Sequence, residues 1–238
     1  MERHRSTLII GGGLAIVLLV VGYVFTGAAQ PVYSCSFETV PASPAPVASG
    51  TPALGQKQDD MGRTHVAVGT PVRYTFCPPA SGPHYNAAGQ GPIQPRFYGP
   101  DDTTVPQNWI HNLEHGTLVI LYNCNRGGCD AASLAQLRAM VGTFPVSPIC
   151  KIPALNISPV ITRLDSMQTP YAALVWGRVL LQDKLDTAQI LAFFEQYGDR
   201  TNPEAQCNVN ASPSPSPGGS AAPSAGASPA ASPAPSAT

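Results

Sequence analysis

Residues 7–26 (TLIIGGGLAIVLLVVGYVFT) form an unbroken apolar run whose only ionisable side chain is Tyr23, and no other feature restricts this chain so strongly. About 20 apolar residues is the length that spans a bilayer's hydrocarbon core as a helix. In lipid a helix satisfies every backbone amide within its own segment, so Gly11, Gly12, Gly13 and Gly22 do not argue against it. Arg3, His4 and Arg5 precede the run, which places the N-terminus in the cytoplasm and everything after Thr26 outside. A cleaved signal peptide is the rival, with Gly27, Ala28 and Ala29 as small residues before Gln30. The run is long for a signal sequence, so the expectation is an uncleaved single-pass helix in the cell membrane with its domain on the extracytoplasmic side. Either reading exports the domain.

Composition divides the rest of the chain. Residues 27–55 include a Pro/Ala/Ser-rich stretch (TVPASPAPVASGT) and read as an extended linker. Residues 209–238 are almost wholly Pro, Ser, Ala and Gly, cannot offset their ordering entropy by burial, and read as a disordered tail. Residues 56–208 are left as one extracytoplasmic domain, and residues 1–6 as the cytoplasmic end. Charged residues are 11% and the formal net charge is -1, so no basic footprint points to nucleic acid.

All six cysteines come after the membrane run: Cys35, Cys77, Cys124, Cys129, Cys150 and Cys207. An even number in an exported chain reads as a disulfide framework. Cys124 and Cys129, close in sequence, are the natural local pair. Cys35 and Cys207 flank the domain and would clasp its ends, which leaves Cys77 with Cys150. Redox dithiols of thioredoxin-like proteins also sit between a strand and a helix, but with two intervening residues rather than the four here, so a structural bridge is the simpler reading.

The periodicity predicts a mixed fold. Residues 117–122 (TLVILY) have the length and apolar continuity of a buried central strand. Asp130 suits an N-cap, Leu134, Leu137 and Val141 lie beyond it at helical spacing, and Gly142 sits where a C-terminal glycine belongs. Further strands are expected over 160–165 and 172–181. Asp186 with Gln189 resembles a capping box that opens a helix with Ile190, Phe193, Phe194 and Tyr197 on its apolar face. The order strand, helix, strand, strand, helix argues for an α+β domain, a single sheet with helices packed on it.

Chemistry concentrates in the first half of that domain. Apart from His4, the histidines are His65, His84, His111 and His115, and the chain has none beyond them. The densest group is His111-Asn112-Leu113-Glu114-His115-Gly116, just before the central strand. It is either a short helix, with Pro106 at its first position and Gly116 after its last, or a loop. Imidazole is the commonest protein metal ligand. The expected ligands are therefore His84, His111 and His115, with His65 a fourth, for copper or zinc.

The string His111-x-x-Glu114-His115 also matches the zinc motif of inverzincin peptidases, in which the glutamate is a general base. Glu195 and Glu204 would then be the candidate third ligands. That motif belongs within a long helix, and here a glycine and a strand come at once. Glu114 is read instead as a residue that orients a histidine or caps an amide. Ser81 beside a histidine lacks the surroundings of a nucleophile elbow. A metal-dependent hydrolase with Glu114 as base and a non-catalytic cell-envelope interaction module are the alternatives to a metal-binding domain.

Three ordered motifs carry a resemblance: Gly62-Arg63-Thr64-His65-Val66, then Pro78-Pro79-Ala80-Ser81-Gly82-Pro83-His84-Tyr85, then His111-Asn112-Leu113-Glu114-His115-Gly116. With them the chain resembles a bacterial family known as domain of unknown function 3105, from about Gln56 to Glu204. The resemblance implies a membrane segment before one exported domain, and that His65, His84, His111, Glu114 and His115 belong to the family pattern. It implies no activity. The cysteines depart from the pattern, which favours a structural role for them.

Overall fold

The central strand explains the layering. Residues 118–122 are apolar at every position, so successive side chains bury on opposite faces of a sheet. One face carries Val119 and Leu121 into a core with Val160, Ala172, Leu174 and Val179. The other carries Leu118, Ile120 and Tyr122 into a second core with Ile161, Ala173 and Leu180. The computed structural model describes residues 31–36, 53–152 and 158–204. The expected membrane helix at 7–26, its alternative cleavage point, most of the linker, the tail 209–238 and Cys207 lie outside the described residues. Among the described residues no helix is long and apolar enough to cross a membrane. Those residues all fall in the first of the two units of the chain, Met1–Asn208 and Val209–Thr238.

In chain order the elements are β1 (Tyr33–Cys35), β2 (Gln56–Lys57), β3 (His65–Val66), β4 (Val72–Tyr74), β5 (His84–Tyr85), α1 (Pro106–Glu114), β6 (Val119–Tyr122), α2 (Ala131–Thr143), β7 (Val160–Arg163), β8 (Tyr171–Val175), β9 (Arg178–Gln182) and α3 (Thr187–Tyr197). A short 3-10 helix, Cys124–Arg126, links β6 to α2. The α+β class is as expected, but the single sheet is not. A five-stranded sheet of order β2-β9-β8-β6-β7 is joined by two separate parallel pairs, β1-β4 and β3-β5. Within the large sheet only β6 and β7 run parallel. The expected strand over 172–181 is a hairpin, β8 and β9, reversing at Trp176 and Gly177.

Helices α2 and α3 begin where their caps predict. Asp130 accepts from the Ser133 amide at 2.9 Å and Asp186 from the Gln189 amide at 2.9 Å, satisfying amides that the first turn leaves open. Gly142 does not end α2. The helix runs through it to Thr143 and stops at Phe144, which is extended (φ -65, ψ 135) because Pro145 disfavours helical backbone in the residue before it. Both helices cover the Leu118/Ile120 face, with Leu137 and Met140 from α2 and Ile190, Phe193, Phe194 and Tyr197 from α3. Burying Ile190, Phe193 or Phe194 contributes about 1.5–3 kcal/mol each relative to exposure.

The opposite face is built differently. It is covered by α1, through Trp109, Ile110 and Leu113, and by loops with Tyr74, Ala80, Ile93 and Tyr98. Tyr33–Cys35 falls inside the expected linker yet pairs with β4 in register Tyr33↔Val72 and Cys35↔Tyr74. A disulfide from Cys35 to Cys77, with Cα atoms 5.2 Å apart, fixes it. That bridge overturns both expected long-range pairings, Cys35 with Cys207 and Cys77 with Cys150. Those pairings rest on elimination alone, and the β1-β4 pairing, invisible in local pattern, is what brings Cys35 to Cys77. Cys150 is also disulfide-bonded. The local bridge Cys124–Cys129 forms as expected.

Candidate metal centre

All nine residues of α1 are buried, although five of them (Gln107, Asn108, His111, Asn112 and Glu114) are polar or ionisable. A helix of this composition is held by named hydrogen bonds as well as by its apolar stripe, Trp109, Ile110 and Leu113. Pro106 occupies the first position, where its missing amide costs nothing. The Asn108 side chain accepts from the Val105 amide at 2.8 Å and donates to Gln90 O at 2.6 Å. Asn112 clamps Ile93 from both sides, accepting from its amide at 3.0 Å and donating to its carbonyl at 2.8 Å. At the far end the Gly116 amide bonds Leu113 O and the Thr117 amide bonds Asn112 O. This is a Schellman closure, and it needs the left-handed backbone that Gly116 adopts at φ +87.

Two local rules then assemble a cluster. His65 and His84 are partners in the parallel β3-β5 pair, so their side chains share a face. His111 and Glu114 are three apart on α1, so they too share a face. β5 packs on α1, and the two faces meet. The Glu114 Oε2 atom lies 3.0 Å from His84 Nε2, 3.6 Å from His65 Nε2 and 4.0 Å from His111 Nε2. One ligand atom from each of the four residues lies within 4.8 Å of the others. His84 (0% exposed) and Glu114 (2%) are sealed in, whereas the His65 side chain is 44% exposed and forms the solvent edge.

The second nitrogens set the chemistry of the first. His84 Nδ1 lies 2.8 Å from Gly82 O and His111 Nδ1 lies 2.6 Å from Tyr85 O. A carbonyl only accepts, so each Nδ1 carries a proton and donates it. In the neutral rings both Nε2 atoms therefore present lone pairs toward the Glu114 carboxylate. A lone pair 3.0 Å from a carboxylate oxygen is repulsive unless a second proton or a cation lies between them. At His65, Nδ1 is 3.3 Å from the Asn86 amide nitrogen. As placed the amide donates; a half-turn of the amide would let Nδ1 donate and expose the Nε2 lone pair as well.

Electrostatics favour the unprotonated form at two members of the cluster, His111 and Glu114. Burial, reinforced by the neighbouring His84 and His115 and opposed by the Tyr85 carbonyl and Glu114, holds His111 below the usual imidazole value of 6.5. Burial alone would raise Glu114. When the rings carry a second proton, the hydrogen bond from His84 and the charges on His84, His111 and His65 outweigh it and hold the carboxyl below 4.5. A buried carboxylate ringed by imidazoles has the donors that could hold a cation.

The donor set fits such an ion. Zinc–nitrogen and zinc–oxygen bonds of about 2.1 Å in a tetrahedron put ligands about 3.4 Å apart, and the separations from Glu114 Oε2 run from 3.0 to 4.0 Å. Backbone carbonyls on the Nδ1 atoms are the usual outer partners that fix a ligating histidine's tautomer and ring orientation.

Among the expected ligands, His65, His84 and His111 are brought together and His115 is not. His115 is the C-cap of α1 (φ -86, ψ 5), one residue past the helix, and offers no atom to the four-residue cluster. Its ring stacks on His111 at 4.9 Å and its Nδ1 faces Glu204 at 3.4 Å. Glu114, expected to orient a histidine or cap an amide, does contact His84 Nε2 at 3.0 Å and also lies within the cluster itself. Glu195 is exposed on α3, and neither it nor Glu204 joins the cluster. Ser81 accepts from the Met61 amide at 3.0 Å, which makes it a loop clamp. The tautomer-setting carbonyls of Gly82 and Tyr85 carry no residue-type signal. The close approach of Gly91 to Tyr85, where a Cβ would meet the carbonyl oxygen at 2.3 Å, has no signature in the sequence either.

A largely buried cluster of three histidines and a glutamate in a disulfide-bonded α+β domain defines the class: a disulfide-stapled domain with a candidate metal centre. The sequence profile of the family described as "Protein of unknown function (DUF3105)" matches residues 65–210. This is more than half of the chain, the chain belongs to that family, and the match spans all four residues of the cluster. No curated protein and no solved structure matches.

Proposed function

We propose that this is an extracytoplasmic metal-binding domain, held at the cell membrane by residues 7–26, that coordinates copper or zinc through His65, His84, His111 and Glu114. The observation that carries the reading is the convergence of imidazole Nε2 atoms on one buried carboxylate oxygen, with the Nδ1 atoms of His84 and His111 committed to backbone carbonyls. Three nitrogens and one oxygen suit either metal. Four protein ligands fill a tetrahedron, which is the arrangement of a binding site rather than of a catalytic site that keeps a position open. The closeness of Glu114 to a histidine Nε2, 3.0 Å, supports its reading as a ligand, whereas a general base would face a metal-bound water. Binding, sensing or delivery of the ion therefore fits better than turnover. Disulfides belong to the oxidising side of the membrane, in agreement with export by the N-terminal run.

The test is elemental analysis of the full-length protein purified from a host that forms disulfides, beside the double variant His84→Gln, His111→Gln. About one equivalent of copper or zinc is expected in the wild type and a small fraction of that in the variant. Equal metal content in the two, with both folded, would sink the reading and favour an interaction module whose histidines only fix loops. Occupancy should also fall on acidification, because protons compete for the imidazole lone pairs.

A further inference from the structure

His115 is left outside the four-residue cluster, yet it is prepared like its members. Its Nδ1 lies 3.4 Å from the Glu204 carboxylate, a charge that favours the tautomer with the proton on Nδ1 and the lone pair on Nε2. Among the described residues that Nε2 makes no hydrogen bond. Its ring lies nearly parallel to that of His111, centroids 4.9 Å apart and planes 16° apart. On the other face of the cluster His65 stacks on His111 at 5.1 Å. Glu204 is tied to α1 by its backbone, since its amide donates to the Glu114 carbonyl at 3.3 Å. The pair is open to solvent, with His115 34% and Glu204 47% exposed, whereas His84, His111 and Glu114 are buried.

We infer that His115, oriented by Glu204, is an outer cation ligand through which a divalent metal ion passes between solvent and the His65/His84/His111/Glu114 centre. The inference rests on the metal-binding reading above and adds a route to it. An ion held by four protein ligands leaves slowly unless a new donor takes one position before the others let go. A fixed imidazole one ring-stack away supplies that donor at high effective concentration. The Glu204 carboxylate draws the cation to this edge and orients the ring. The bonds exchanged are metal–nitrogen and metal–oxygen contacts only, so the transfer requires no oxidant or reductant.

The experiment loads the full-length protein with Zn(II) and follows its release to an excess of chromogenic chelator, comparing wild type with His115→Ala and Glu204→Gln. Each variant is expected to hold the same Zn(II) at saturation and to release it at least about fivefold more slowly. Release at the wild-type rate in both variants, with equal content, overturns the transfer role and leaves the buried centre standing. Lower content in His115→Ala also overturns it, because His115 would then be a ligand of the main centre. Wild type that takes up no Zn(II) and carries no copper defeats the metal-binding reading itself. Should His115→Ala fold poorly, Glu204→Gln, which preserves size and removes only charge, decides the matter alone.

Discussion

The two faces of the central sheet solve the same problem in opposite ways. On one, α2 and α3 lay apolar side chains over Leu118, Ile120 and Tyr122. The arrangement needs no particular hydrogen bond to hold, because hydrophobic burial is non-directional. On the other, α1 is buried with five polar residues on it, and loops close over it through side-chain hydrogen bonds and the Cys35–Cys77 bridge. Directional contacts cost more to assemble and tolerate less change, since each buried donor or acceptor must find its partner. They also fix ring orientation, as the Gly82 and Tyr85 carbonyls do for His84 and His111. The first face supplies stability and the second position, and the candidate centre sits on the second.

This division can be broken from either side. Phe193→Ala, at a fully buried site on the α3 face, should cost about 3–5 kcal/mol in denaturant unfolding while folded protein keeps its full metal content. A loss of metal in the folded fraction would mean that the faces are not independent. Saturating metal should act from the other direction. At a hundredfold excess over Kd it should stabilise by about 2.7 kcal/mol, raising the thermal midpoint by roughly 5–10 °C, and chelator should reverse the shift. An unchanged midpoint would remove the centre from the energetics altogether.

Smaller changes sharpen the contrast. Gly91→Ala would put a Cβ 2.3 Å from the Tyr85 oxygen, disturbing the acceptor that holds His111 Nδ1. Metal affinity should fall about 10–100-fold, read by competition with a chelator of known affinity. The mildest effect is expected for Asp186→Ala, which removes the α3 cap at about 1 kcal/mol and should leave metal affinity untouched.

Legibility in the sequence divides along the same line. Asp130 and Asp186 mark their helices because capping is a local rule, and the apolar run 117–122 marks a central strand because burial on both faces leaves a continuous pattern. Pro106 and Gly116 bound α1 for equally local reasons. Gly142 misleads because the proline after Phe144, rather than the glycine, ends α2. The hairpin within 171–182 reads as one strand because Tyr171, Ala172, Ala173, Leu174 and Val175 are all buried and show no alternation to break.

In the candidate centre, the sequence by itself determined the cast: clustered histidines, a glutamate one turn from His111, and helix ends that fix which residues share a face. Only the tertiary structure decided membership. The parallel register that sets His65 opposite His84, the packing of β5 on α1 and the joining of Cys35 to Cys77 are contacts between segments far apart in the chain. Spacing rules describe one helix or one strand and say nothing of which elements meet. That is why Glu114 rather than His115 joins the cluster: the choice depends on how α1 meets its neighbours, not on spacing along it.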